Sequence, residues 1–437
     1  MAGEARGVLL FLLVLWVATV AVCGQEGLEC TVSVQPCQSI QAAIDAAPDG
    51  AVICLSEGEW EEDLVIEKAL TVRGEGAGKT VIRGTGSAPD ALAIYCLDAE
   101  QSGDVHVQIE GLTITGAGRA GISIATEIHA AVSGCEVQGN GVGVFLLGES
   151  EVEIQDCVIS ENGEGINGFE SARATIVACN VSDNANAGIG FAFSAEATIS
   201  DSTVSENGRY GVYLAGSAQA TISSSVVADN QGNGVSLMDS CQATLNDCSV
   251  TENGLEYAEK GSYYTEGIIL GDEAQAVLNG CTVSGNAHEG ILLRSTAHAD
   301  ISGTTVSENG RVGVWLWDTA QATLARCTIS DHPSAGVDAR NETRVEMTAC
   351  TVERNFTGVV LWGSPYAMLE ANTIRDCEQY GVTVVGPNGE IVGFTGYIAG
   401  VNNLVTDNGA LLNCDPCRPQ YLCFLASEEG GELDKRE

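Results

Sequence analysis

Residues 220–237 read ATISSSVVADNQGNGVSL and contain one complete structural unit. Ala220, Thr221 and Ile222 form one short strand, and Val226 and Val227 a second. The third is Gly234, Val235, Ser236 and Leu237, with Val235 and Leu237 facing inward and Ser236 outward, the period of two that a half-buried strand requires. Ser223 and Ser224 form one turn. Asp229, Asn230, Gln231 and Gly232 form another, because Asn and Gly tolerate left-handed backbone angles. Three short strands cannot close a sheet alone. Stacked on similar units about 4.8 Å apart, each gains a parallel partner above and below.

The unit recurs. A Gly followed by Ile or Val stands at Gly121, Gly143, Gly165, Gly188, Gly211, Gly234, Gly267, Gly290, Gly313, Gly336, Gly358 and Gly381, in steps of 22 or 23 residues with one step of 33 before Gly267. An Asn precedes most of these glycines: Asn140, Asn162, Asn184, Asn207, Asn230, Asn253, Asn286, Asn309 and Asn355, with His332 in the same slot once. Such long-period similarity marks a solenoid. The fold expected is an all-β right-handed parallel β-helix with a short N-terminal capping helix. A repeat architecture also explains how 437 residues are accommodated without one oversized core. About a dozen coils would make a rod about 55–60 Å long.

A second column precedes the middle strand: Leu112, Cys135, Cys157, Cys179, Ser202, Ser225, Cys248, Cys281, Thr304, Cys327, Cys350 and Asn372. It can be read as a row of thiol metal ligands or as packing. One strand spacing between rungs suits stacking and not tetrahedral coordination, so packing is the reading taken and no metal site is assigned.

The chain divides into a signal segment (1–24), an N-terminal cap with its leading strand (25–60), the β-helix (61–400), a cysteine-bearing C-terminal cap (401–426) and a charged, disordered tail (427–437). Arg6 and the apolar run 8–22 carry the export reading, with acylation of Cys23 as its alternative. Residues 39–47 (SIQAAIDAA) form the capping helix, with Ser39 as N-cap and Ile40, Ala43, Ile44 and Ala47 on one face. Cys30, Cys37 and Cys54 flank it, and a Cys37–Cys54 disulfide is expected in an oxidising compartment. Cys414, Cys417 and Cys423 read as disulfide closure of the far end, with zinc as the alternative.

Asp and Glu number 59 against 19 Lys and Arg, a formal charge of −40, which excludes nucleic acid and anionic membrane surfaces as partners. The scattered acids read as a solvated, self-repelling surface. No cofactor is called for, with calcium as the alternative.

Residues 39–84 carry IQAAID, the strand at 51–55, GEWEEDLVIEKALTVRGEG and TVIRG, and in these resemble the N-terminal part of pectin-lyase-like proteins. The later repeats resemble those of the carbohydrate-binding and sugar-hydrolase class, and of periplasmic copper-protein maturation factors. The resemblance covers 38–385. It implies the fold and points to a polysaccharide or cell-surface glycan as partner. It does not supply chemistry, because one such fold hosts many functions. The Asn-Thr-Asp, Asp-Asp and Gly-His-Gly motifs of polygalacturonases are absent, as is the Asp-Pro-His of alginate epimerases.

The resemblance makes the outward side of the Gly-Ile/Val strands the ligand face. Two of its columns run Leu292, Trp315, Asp338, Val360 and Arg294, Trp317, Arg340, Trp362, placing three of the five tryptophans together. Aromatic faces stack on sugar rings, and Arg forks bind carboxylates. Arg294, Trp315, Trp317, Arg340 and Trp362 are therefore the candidate binding residues. Tyr263 and Tyr264, from the ten-residue insertion, and His288 and His332, from flanking turns, complete the set. Asp338, Asp318 and Glu289 are the candidate catalytic carboxylates for a polysaccharide lyase or glycoside hydrolase, which needs a pair about 5–10 Å apart. Two alternatives stand beside glycan binding: a structural or adhesive surface rod, and a metalloprotein maturation accessory. The second lacks His/Met clusters, with only 4 Met in the chain.

Overall fold

A computed structural model describes residues 29–95, 105–256, 265–386 and 394–413. The signal segment with Cys23, the inserted Tyr263 and Tyr264, and Cys414, Cys417, Cys423 and the tail lie outside the described residues. No helix among the described residues is long and apolar enough to cross a membrane.

The strands form three all-parallel sheets of 16, 15 and 15 strands, and each coil contributes one strand to each sheet. In the coil read above these are Gln219–Ser223, Val226–Ala228 and Val235–Leu237. The next coil stacks in register, with Ala220 opposite Ala243, Val227 opposite Val250 and Leu237 opposite Leu270. Ile222, Val227, Val235 and Leu237 are buried between the sheets. Each such aliphatic side chain contributes about 1.5–3 kcal/mol of transfer free energy. There are about fifteen coils, roughly 70 Å of stack, and not a dozen. The early coils with Leu64–Ile66 and Asp90–Ile94 lack the Gly-Ile/Val pair, as does the late one with Ala410–Asn413, so counting that pair undercounts them.

Two polar ladders run through the stack. In the first, Asn230 Nδ2 donates to Asn253 Oδ1 (2.9 Å) and to the Val204 carbonyl (3.1 Å), while its own Oδ1 accepts from the backbone N–H and Nδ2 of Asn207. The pattern repeats coil after coil, so buried amides are satisfied by one another. The second is the cysteine column. Its members are buried and free, and their thiols point at carbonyl oxygens, as Cys281 Sγ does at Leu245 O (3.4 Å). Thr304 and Asn372 hold the same slot, where Thr304 Oγ1 and Asn372 Oδ1 accept from the backbone N–H groups of Cys281 and Cys350.

The helix Ile40–Ala46 closes the N-terminal end. Ser39 Oγ accepts from Ala42 N–H (3.1 Å), Ile40 and Ile44 are buried, and Glu62 accepts from the N–H groups of Ile40 and Gln41. The disulfide joins Cys30, not Cys37, to Cys54, with a Cα–Cα distance of 5.7 Å. Pairing of Val32–Val34 with Ala51–Leu55 brings the chain before the first strand beside Cys54. Cys37 instead sits in the exposed turn after that strand, at φ +74, and is free.

Candidate functional site

The outer face of the third sheet presents three parallel columns. Glu266 and Glu289 stand on adjacent coils in the column next to the turn, where Gly267 N–H donates to the Glu289 carbonyl (2.9 Å). The middle column runs Ser236, Ile269, Leu292, Trp315, Asp338 and Val360. Beyond it lie Arg294, Trp317, Arg340 and Trp362, with Arg340 directly opposite Trp362. Alternation along each strand keeps the middle column and the one beyond it on one face, and Glu289 is tied to that face through Arg311, which pairs with it and lies over Trp315. Ser236 faces outward as its pattern requires, yet it is fully buried, as is Ile269. Arg294 and Met238 meet across the side-chain gap at Gly271, where an added Cβ would lie 2.8 Å from Met238 Sδ and 3.2 Å from Arg294 Nε.

Arg340 is the centre of the aromatic group. Its guanidinium carbon lies 5.3, 5.6 and 4.9 Å from the ring centroids of Trp315, Trp317 and Trp362. Cation–π attraction of this kind orders both the cation and the rings. Trp315 and Trp317 meet edge to face at 5.3 Å, and Arg311 lies 4.9 Å over Trp315. Trp317 is 37% exposed, whereas Trp315 Nε1 is buried with no hydrogen-bond partner among the described residues.

The forks of Arg340 and Arg311 are not free for a ligand's carboxylates. Arg340 is chelated by Asp338, and Arg311 Nη1 lies 3.2 Å from Glu289 Oε1. Glu266, Glu289 and Asp338 are all buried. Burial pushes the Glu266 carboxyl up to about 7, with the Glu289 charge adding and Arg294 opposing. Burial raises Glu289 against the pull of Arg311, and raises Asp338 against Arg340. This corner of the face can therefore hold a proton on a carboxyl near neutral pH.

The remaining candidates separate. His288 lies at the rim, its Nδ1 against the Thr265 hydroxyl, with its pKa lowered by burial and by Arg311. His332 does not belong to the face. It is a rung of the Asn ladder, accepting from Asn309 Nδ2 at Nε2 (3.2 Å) and meeting Asn355 Oδ1 at Nδ1 (2.8 Å). Asp318 does not join Asp338. It is exposed in the following turn, at φ +62, where Oδ2 accepts the Ser295 N–H (3.2 Å). Arg311 was missed by pattern because it sits in the turn before its strand, outside the two outward columns. Glu266 directly follows the ten-residue insertion in sequence, and only register shows that it repeats Glu289.

The chain belongs to the right-handed β-helix family, whose description "Right handed beta helix region" matches residues 94–188, 120–266 and 260–394. No curated protein matches the sequence. Similar solved structures include the mannuronan C-5 epimerase AlgE4 A-module of Azotobacter vinelandii, at 16% identity over 86% of this chain and 92% of that one, with a TM-score of 0.38. The α-1,3-glucanase of Streptomyces thermodiastaticus is 12% identical over 86% of this chain and 67% of that one, with a TM-score of 0.49. Pectate lyase Pel9A is 12% identical over 69% and 72%, with a TM-score of 0.35. Likeness at this level is one of fold.

Proposed function

We propose that this protein is an exported polysaccharide-binding β-helix whose ligand lies on the third sheet between Arg294 and Trp362. The observation that carries the reading is the Trp317–Arg340–Trp362 shelf. Its rings are held by a guanidinium that Asp338 fixes from below, so two aromatic faces are presented without loss of side-chain freedom on binding. The apolar run 8–22 supports export. Recognition rests on stacking and not on carboxylate chelation, because Arg340 and Arg311 are already paired. Binding is favoured over cleavage, since the carboxyls of Glu266, Glu289 and Asp338 are buried beneath the shelf's surface. A glycan array with wild type and Trp317→Ala tests this. Glycan signals that fall on substitution are expected; no signal, or one indifferent to the substitution, refutes it.

A further inference from the structure

The middle column of the third sheet is a nearly continuous series of side chains, and it is broken once on the N-terminal side. Asn167, Gly190 and Tyr213 occupy successive rungs, so one coil contributes no side chain between two that do. The neighbouring column gives only Ala192 at the same coil. The gap is a cavity of about 220 Å3, walled by Phe169 on one side and Tyr213 on the other.

Its walls are aromatic and its floor is polar. Tyr213 is backed by Tyr210 in a parallel stack, with centroids 5.1 Å apart and planes at 17°. Phe169 is the middle of a staircase with Phe145 and Phe193, at centroid distances of 5.7 and 6.3 Å. Glu164 is fixed by two side-chain amides, one from Asn186 (2.8 Å) and one from Asn167. Donation by Asn167 Nδ2 leaves its Oδ1 turned over Gly190, 2.9 Å from where a Cβ would stand. Asn167 is itself 5% exposed, a buried amide whose oxygen faces the gap.

We propose that this gap is a binding site for a single neutral pyranose ring. An aromatic wall accepts the apolar face of the ring. Glu164 and Asn167 Oδ1 offer acceptors to ring hydroxyls, and a hydroxyl-to-carboxylate bond is charge-assisted. The Glu164 charge disfavours a uronate. Arg209, 4.7 Å over the Tyr210 ring at the edge of the gap, disfavours an ammonium ligand that the rings would otherwise attract. The site is distinct from the tryptophan shelf. Tyr213 and Trp315 are four coils apart, about 19 Å. The buried Ser236 and Ile269 lie between them.

The test is calorimetric titration of the full chain with neutral hexasaccharides of the gluco, manno, galacto and xylo series, with oligogalacturonate, and with choline. Variants are Tyr213→Ala, which removes a wall, Gly190→Leu, which fills the gap, and Trp317→Ala. Circular dichroism checks that each variant is folded. At least one neutral series is expected to bind, with affinity falling at least fivefold in Tyr213→Ala and in Gly190→Leu, also in the Trp317→Ala background. No binding by any neutral series overturns the site, as does binding that ignores both substitutions, or equal binding of oligogalacturonate or choline. Loss confined to Trp317→Ala would overturn this site and leave the shelf standing; loss confined to the gap variants would do the reverse.

Discussion

The guanidinium of Arg340 chelates the carboxylate of Asp338, two residues back on the same strand, with Nε 3.0 and 3.1 Å from the two oxygens and Nη2 2.6 Å from one of them. Asp338 is 2% exposed, so its charge depends on this partner. Removing one member of a buried pair strands the other and costs about 3–5 kcal/mol. Arg340→Ala is therefore expected to lower the melting temperature strongly, and Arg340→Ala with Asp338→Ala to recover much of the loss. Thermal unfolding of the three proteins checks this. A double variant no more stable than Arg340→Ala would show that the charge pair is not the origin of the loss.

The cysteine column is expected to be reduced and inert. Neighbouring rungs stand one strand spacing apart with side chains parallel, which does not suit a disulfide. Labelling of the unfolded, unreduced protein should find Cys135, Cys157, Cys179, Cys248, Cys281, Cys327 and Cys350 free. Cys281→Ser copies the Ser and Thr rungs already present and is expected to cost about 1–2 kcal/mol. Recovery of a Cys135–Cys157 or Cys327–Cys350 cross-linked peptide would contradict this geometry.

Asn230→Ala is expected to cost more than Cys281→Ser. It strands the backbone N–H of Asn207 and takes away the acceptor of one Nδ2 proton of that residue, while Asn253 Oδ1 keeps the backbone N–H of residue 230. Each unsatisfied buried group costs about 1–3 kcal/mol, so a loss of roughly 3 kcal/mol or more is expected in chemical unfolding. A loss no larger than that of Cys281→Ser would mean that water replaces the amide.

Fold and site were legible to different depths, for a physical reason. Gly234, Val235 and Leu237 report a local period, and local periods determine strand, turn and inward face. The columns through Trp315 and Trp317 followed from the repeat step alone. The rest depended on which neighbours a side chain meets. Asp318 and Asp338 look alike in sequence, but one follows its strand into a turn and the other stays on the sheet. His332 is visible as the odd member of the Asn series, yet its place in a turn flanking the ligand face points the other way, and only the hydrogen bonds to Asn309 and Asn355 decide for the ladder. The cysteine that bonds Cys54 was misassigned because the choice between Cys30 and Cys37 turns on the first strand pairing, which carries no repeat signal.

Two buried groups, Glu266 and His332, titrate in opposite senses. Burial raises Glu266 from 4.5 to about 7, so between those values the folded state holds a proton that the unfolded state releases. Stability from this group is greatest below pH 4.5 and falls as pH rises through 7. Burial lowers His332 from 6.5 to about 4, so there the unfolded state takes a proton that the folded state refuses. Stability from this group is complete above pH 6.5 and is lost as pH falls through 4. Each difference amounts to about 3 kcal/mol, and the two slopes have opposite sign across pH 4.5–6.5. His332→Asn restores the residue that the ladder uses elsewhere and removes the histidine's slope. Relative to wild type, its stability is expected to gain toward acid pH. Glu266→Gln is expected to gain toward neutral pH. Glu289 and Asp338 add slope of the glutamate's sign in all three proteins, so differences from wild type are the quantity to read. Unfolding measured at several pH values through this window checks both signs. Parallel curves for His332→Asn and wild type would show that the imidazole is not held neutral in the ladder.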